Sequence, residues 1–255
     1  MTDATPTPRT LYVHEDLRDD LAGLDADTRR LGERLLARVA RRGERVVLLS
    51  LDAQLDAVVA QGGHVPFAAT VGIGPAGARV ADKLHALTGW FPAIHRVDVW
   101  REETDDGGGY ALAGPAPLAD QAAAVRGASS VAVVDDTIFS GLTMRAVLAA
   151  LPVAPRRRVH AFCLRAVAES LPPVAALAPL TAGVAVPGRL LDDVSFINAS
   201  GLVRRGAIRR AGRPSLAFFE RPEWMAAWFP EDHVEITALC RELGERLSVS
   251  PSPAS

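Results

Sequence analysis

Lysine is nearly absent from this chain: Lys83 is the only one among 28 basic residues, so arginine is the side-chain cation available to any site. Cysteine is scarce too. Cys163 and Cys240 lie far apart and belong to no metal-spaced cluster, which excludes a disulfide framework and leaves both read as reduced. No apolar run approaches the roughly 18 residues of a membrane span. Residues 1–9 are polar and rich in Pro and Thr, without the apolar stretch of a signal peptide, so a cytoplasmic protein that does not engage membranes is expected. Basic excess is missing as well. A net charge of −2 and a pI near 6.3 give no support for nucleic-acid binding. His14, His64, His85, His95, His160 and His233 show no paired spacing for a metal, and there is neither a Gly-x-Ser-x-Gly elbow nor a P-loop. What remains is ordinary for a soluble globular protein: 255 residues, 49% hydrophobic and 23% charged, enough for one large domain or two small ones.

Residues 1–10 and 248–255 read as disordered tails. A helix is expected from Asp27 to Arg42, with Leu31, Leu35, Leu36 and Val39 at helical spacing, Asp27 as its cap and Gly43 as its stop. Its arginines interleave with Glu33 and Glu44 and read as a solvated face. Val46 to Leu49 reads as a short strand or the lead into a helix. From Phe67 strands and helices alternate. Strands are expected at Phe67–Val71, Ile94–Trp100, Val131–Val134, Val159–Leu164 and Ala182–Val186, with helices at Ala76–Leu87 and Gly141–Leu151. Such alternation implies βαβ units and a mainly parallel sheet flanked by helices. Continuous apolar runs at Val131 and Val159 fit central strands covered on both faces. Arg101 to Pro117 reads as a long Gly/Asp/Pro-rich loop, residues 187–230 break the pattern, and a helix is expected from Asp232 to Leu247.

One stretch carries the chemistry: Val131-Ala132-Val133-Val134-Asp135-Asp136-Thr137-Ile138-Phe139-Ser140-Gly141-Leu142-Thr143. A buried strand ends in two carboxylates, and a loop of hydroxyl-bearing and small residues leads into a helix. Ligands of open α/β sheets sit beyond the carboxyl ends of the strands. A loop at a helix N-terminus offers N–H groups and partial positive charge to a phosphate, and Thr137, Ser140 and Thr143 add hydroxyls. Adjacent carboxylates suit the paired hydroxyls of a ribose. An ordinary βα turn with an acidic end is the plainer alternative. The stretch resembles the phosphoribosyl pyrophosphate (PRPP) signature of type I phosphoribosyltransferases, an apolar strand, two acidic residues and a Thr/Ser/Gly loop closing in Gly-x-Thr.

Val71-Gly72-Ile73-Gly74-Pro75-Ala76-Gly77, between a strand and a helix, has Gly-x-Gly-x-x-Gly spacing, which alone is a weak dinucleotide signal. In the family that this chain resembles, the loop here holds pyrophosphate with backbone amides. Trp100 to Tyr110 occupies the place of the family's flexible loop and looks like its orotate type, with Glu102 standing where that loop carries lysine and Arg101 as its only cation. Phe196-Ile197-Asn198 and Trp228-Phe229-Pro230 occupy roughly the positions of a small acceptor-selecting hood.

The resemblance implies one domain over residues 11–247, with its core at about 67–186 and its hood at about 187–230. It implies Mg²⁺-dependent transfer of a phosphoribosyl group from PRPP to a nitrogen-containing acceptor, nucleobase-like or small and acidic, by a homodimer. Asp135, Asp136 and Arg101 are the expected catalytic residues. PRPP would contact Gly72, Ile73, Gly74 and the run from Asp135 to Thr143. Phe196, Asn198 and Trp228 would contact the acceptor. Mg²⁺ would sit mostly on the ligand, with Asp135 and Asp136 as its protein side. A sensor that keeps the sugar-phosphate pocket without turnover, or an enzyme acting on a related phosphosugar, are the alternatives.

Overall fold

The computed structural model describes residues 10–41, 43, 45–104, 109–152, 158–187 and 196–249. In chain order its elements are β1 (Leu11–His14), α1 (Leu17–Leu21), α2 (Ala26–Ala40), β2 (Val46–Leu49), α3 (Leu51–Ala60), β3 (Ala69–Ile73), α4 (Gly74–Thr88), β4 (Ile94–Val97), β5 (Trp100–Glu103), β6 (Tyr110–Ala113), α5 (Leu118–Gln121), β7 (Ser130–Ile138), α6 (Leu142–Ala150), β8 (Arg158–Val167), α7 (Leu171–Ala175), β9 (Leu180–Val186), β10 (Phe196–Asn198), α8 (Ala199–Val203), β11 (Ile208–Arg210), β12 (Arg213–Leu216), α9 (Pro222–Trp228) and α10 (His233–Val249). They form two compact units, a central one of residues 52–188 and a flanking one of residues 1–51 and 189–255. The expected core at 67–186 lies within the central unit. Most of the segment expected as a hood belongs to the flanking unit, and its residues 188–195 lie outside those described.

The central unit is built on a five-stranded sheet in the order β4-β3-β7-β8-β9, parallel throughout. Its middle strands have no polar face because helices cover both sides. Every residue of β3 is buried, as are Val131 to Val134 of β7 and Ala161 to Val167 of β8. β7 and β8 run longer than the apolar stretches that announced them. Pairing continues through Thr137↔Arg165 and Ile138↔Ala166, so the ladder carries the strand past the two aspartates. The long loop expected at 101–117 is instead largely a hairpin. β5 and β6 pair antiparallel with Arg101↔Leu112 and Glu103↔Tyr110, while residues 105–108 lie outside the described part. The Trp100 indole N–H donates to Glu102 Oε1 at 2.7 Å, between side chains two residues apart on the same face of β5.

The flanking unit brings the two ends of the chain together. β1 sits between β10 and β2 in a parallel three-stranded sheet. α2 buries Leu31, Leu35, Leu36 and Val39, the residues expected on its inner face, in one core with Trp224, Met225, Ile236, Cys240 and Leu243. Asp25, not Asp27, caps α2: its carboxylate accepts from the N–H groups of Asp27 and Thr28 and from the Thr28 hydroxyl. β11 and β12 form a short hairpin. α10 reaches Val249, inside the stretch expected as a tail, and apart from Thr10 the rest of both tails lies outside the described residues.

Candidate functional site

β3 and β7 are neighbours, with Gly72 opposite Val134, so the turns that leave their carboxyl ends lie side by side. The packing there is too close for side chains. A Cβ on Gly77 would lie 2.4 Å from the Val134 carbonyl oxygen and 3.2 Å from Asp135 Cα. A Cβ on Gly72 would lie 2.6 Å from Ala78 Cα. Gly77 thus lets the first turn of α4 rest on the backbone of β7 where the acidic pair begins, and Gly72 lets α4 close onto β3 at Ala78. Gly74 opens that helix at φ +59°, a left-handed conformation, with Pro75 behind it. Ile73 is buried, which leaves its backbone as the part able to meet a ligand.

On the β7 side, Gly141 makes the turn into α6 at φ +71°, and a Cβ there would lie 3.0 Å from Val174. Ser170 donates its hydroxyl to the Phe139 carbonyl and pins the loop from below. Ser140, exposed, accepts weakly from the Leu142 N–H at 3.4 Å. Thr137 and Thr143 are half-buried, and Ile138 is buried in the core.

The adjacent aspartates stand in different surroundings. Asp136 is one-fifth exposed and accepts on Oδ2 from Arg165 Nη2 at 2.9 Å and from the Thr137 hydroxyl at 3.0 Å. Arg165, fully buried on β8, also donates to Gln54 Oε1 of α3 at 3.2 Å. Asp135 is buried and accepts the Asp136 N–H at 2.8 Å. Burial, and then the charge of Asp136, push the Asp135 carboxyl well above the usual carboxylate range, while Arg101 pulls the other way. The pair therefore holds one carboxylate balanced by an internal guanidinium and one carboxyl biased toward its neutral form.

Arg101 reaches this edge from β5. Its guanidinium carbon lies 5.3 Å from the centre of the Phe139 ring and 5.4 Å from that of Tyr110, so two rings hold the cation beside the loop. The structure thus brings together Asp135, Asp136, Arg101, the glycine turn and the loop to Thr143. Phe196, Asn198 and Trp228 belong to the flanking unit. Phe196 is buried against Tyr12, Asn198 precedes α8, and Trp228 is buried between Phe218 and Trp224.

Arg165, Gln54, Tyr110 and Ser170 were not anticipated. Arg165 had a signal: it is the lone charge within Ala161-Phe162-Cys163-Leu164-Arg165-Ala166-Val167, and a buried charge demands a partner. The donor set does not suit a metal held by the protein alone. Asp136 is engaged by Arg165, Asp135 favours its proton, and among the described residues no cluster of three or more His, Cys, Asp or Glu is placed for an ion.

No family model matches the chain, and no curated protein matches it in sequence. Among solved structures it is similar to a hypothetical protein from Neisseria gonorrhoeae with bound ppGpp, at TM-score 0.44 and 19% identity over 59% of this chain and 85% of that one. It is similar to a purine phosphoribosyltransferase from Pyrococcus horikoshii at TM-score 0.34 and 16% identity, over 74% and 93% of the two chains. An orotate phosphoribosyltransferase from Aeropyrum pernix matches at TM-score 0.34 and 19% identity, over 53% and 71%. These are likenesses of chain path, and the functional reading rests on the site residues.

Proposed function

We propose that the chain binds PRPP at the carboxyl edge of β3 and β7 and transfers its phosphoribosyl group to a nitrogen-containing acceptor. The observation that carries this reading is the junction of the two turns: the acidic pair and its hydroxyl-rich loop on one strand, and a glycine turn resting on that strand's backbone from the next. The loop at 137–143 would take the 5-phosphate on its N–H groups and on the hydroxyls of Thr137, Ser140 and Thr143. Asp135 and Asp136 would meet the ribose hydroxyls, and the backbone at 73–74 the diphosphate. In the transfer, the bond from C1 to the pyrophosphate oxygen breaks and its electron pair leaves on that oxygen. A bond from C1 to the acceptor nitrogen forms, and the nitrogen's proton passes to solvent.

The electrostatics favour an anionic ligand despite two aspartates. Arg165 balances Asp136 from inside, and Asp135 is biased toward the neutral acid, which donates rather than repels. Arg101, steadied by Phe139 and Tyr110, supplies a cation where pyrophosphate departs. Mg²⁺, when bound with PRPP, would lie mostly on the ligand's own oxygens, because Asp136 is engaged by Arg165 and Asp135 is biased toward its neutral form.

Calorimetry with PRPP and Mg²⁺, against Mg²⁺ alone, tests the binding. Absence of heat and of any thermal shift would remove the reading. One observation favours a second reading, binding without turnover: Glu102 and Glu103 share β5 with Arg101, the sole basic residue from 101 to 117. Mass spectrometry of reactions with nucleobases and small acids separates the two. If turnover occurs, Arg101→Ala should lower kcat more than it weakens PRPP binding, and an unchanged kcat would deny Arg101 its part.

A further inference from the structure

The resemblance implies Asp135 and Asp136 as the protein side of a Mg²⁺ ion, yet the structure already sets a cation on that pair. Arg165 stands opposite Thr137 in the β7–β8 ladder and is fully buried. Its Nη2 donates to Asp136 Oδ2 at 2.9 Å, and the Thr137 hydroxyl donates to the same oxygen at 3.0 Å. Asp135 Oδ1 accepts the Asp136 N–H at 2.8 Å. The guanidinium is also held at its other nitrogen. Arg165 Nη1 donates to Gln54 Oε1 at 3.2 Å, and Gln54 is itself buried. Gly183 makes room for this contact. A Cβ there would lie 2.8 Å from the carbonyl oxygens of both Gln54 and Leu164, so α3 rests on the sheet at the residue before Arg165.

A divalent ion on this pair needs several oxygen ligands in one shell. Asp136 Oδ2 already serves two donors and Asp135 Oδ1 a third. A guanidinium keeps its proton in proteins, so the charge of Arg165 is permanent. Tied to Asp136 at one nitrogen and to Gln54 at another, it cannot withdraw into solvent to make way. A dication on the same carboxylate would face that charge at short range with little screening. We infer that Arg165 takes the place of a divalent metal on the acidic pair. With Arg165 present the pair holds no metal ion of its own, and without it the two carboxylates become a divalent-metal site. This deepens the PRPP reading of the same site, and it is tested with a metal alone so that the two can fail separately.

Electron paramagnetic resonance of free Mn²⁺, titrated against the full chain without PRPP, is the measurement. At Mn²⁺ concentrations on the order of 1 mM, Arg165→Met should take up about one ion per chain more than wild type. Adding Asp136→Asn to Arg165→Met should abolish that uptake. Arg165→Lys restores the charge, and Gln54→Leu disturbs the same packing but keeps the guanidinium. Both should bind no more Mn²⁺ than wild type, a separation that a merely structural role for Arg165 would not produce. If Arg165→Met does not fold in metal-free buffer, Mn²⁺ should restore its melting transition, because an ion that binds only the folded chain stabilises it. Mn²⁺ held by wild type and lost in Asp136→Asn would overturn the inference. So would an Arg165→Met chain that neither gains an ion nor is restored by one, or an Arg165→Lys chain that gains one. Failure of PRPP to bind would leave these titrations as they are.

Discussion

Each unit buries an arginine among carboxylates, and the two arginines are held differently. In the central unit Arg165 is fully buried and, among the described residues, is bonded to the carboxylate of Asp136 and to Gln54 Oε1. In the flanking unit Arg38 keeps 17% of its side chain exposed and meets two, Asp232 and the half-exposed Glu235. The first pair lies inside a sheet next to the candidate site, while the second ties α2 to the start of α10. An ion pair without access to water depends on its one partner, whereas a pair at the rim shares its charge with a second carboxylate and with solvent. Charge balance in the central unit should therefore be brittle, and in the flanking unit forgiving.

The largest expected effect comes from Arg165→Met. It strands a mostly buried carboxylate and should cost about 3 kcal/mol of stability, at the lower end of the range for breaking a buried pair because Asp136 keeps some solvent access. Urea denaturation measures this, and a loss below that of the equivalent change at Arg38 would reverse the contrast.

Next comes the acidic pair. Asp136→Asn should weaken PRPP binding roughly tenfold to a hundredfold, as removal of a charged hydrogen bond implies, and Asp135→Asn only about fivefold, because a carboxyl biased toward its neutral form offers an uncharged hydrogen bond. Their stabilities should diverge. Asp136→Asn leaves Arg165 without its counter-charge, while Asp135→Asn replaces a carboxyl already biased toward neutrality. Calorimetry on the folded fraction, with melting curves of both variants, checks the two halves together. Lower melting temperatures with intact affinity would reduce the pair to a structural turn.

Arg38→Gln should cost about 2 kcal/mol, less than Arg165→Met, because half-exposed Glu235 can be rehydrated while buried Asp232 loses its counter-charge.

The smallest effect is one of pH, and it belongs to the central unit. His160 stacks on Phe162 and lies edge-on to His64, and burial followed by the charges of His64 and Arg158 lowers its pKa to about 4. The unfolded chain takes up this proton near pH 6.5, so between roughly pH 6.5 and 4 it binds more protons than the folded one. Stability should fall as pH falls through that window, by about 1 kcal/mol once screening of a half-exposed ring is allowed for. Asp135 acts with the opposite sign. Its raised folded pKa means that stability falls as pH rises above the ordinary carboxylate range, up to the folded value. Melting temperatures of His160→Gln and Asp135→Asn across pH 4–8 should flatten the two slopes separately.

The contrast between the units extends to what their sequences disclose. The middle strands β7 and β8 of the central sheet announced themselves as apolar runs because helices cover both faces, and Val131–Val134 lies whole inside β7. The ends of β7 and β8 did not, since Asp135, Asp136 and Arg165 extend the strands with charges whose mutual pairing exists only in three dimensions. The acidic pair, the glycine turn and Arg101 were legible as types at given places. Their meeting was not, for it depends on a Cβ that is missing at Gly77 and on rings at 110 and 139 that hold Arg101. In the flanking sheet only β2 was noticed, at Val46–Leu49 and as a strand or the lead into a helix. β1 and β10 are four and three residues long, too short for a period to be counted, and each pairs with the other from a distant part of the chain.

The absent methyl group at Gly77 has a metrical consequence. The first turn of α4 rests on the Val134 carbonyl and the Asp135 backbone with no spacer, so the separation between the two loops is the thickness of bare main chain. One carbon atom added at residue 77 would wedge the loops apart and alter the length of molecule able to bridge them. On the proposed reading, Gly77 is a gauge for the span between the two phosphate ends of the ligand. Gly77→Ala should therefore shift preference among diphosphates of different length before it abolishes binding to any of them.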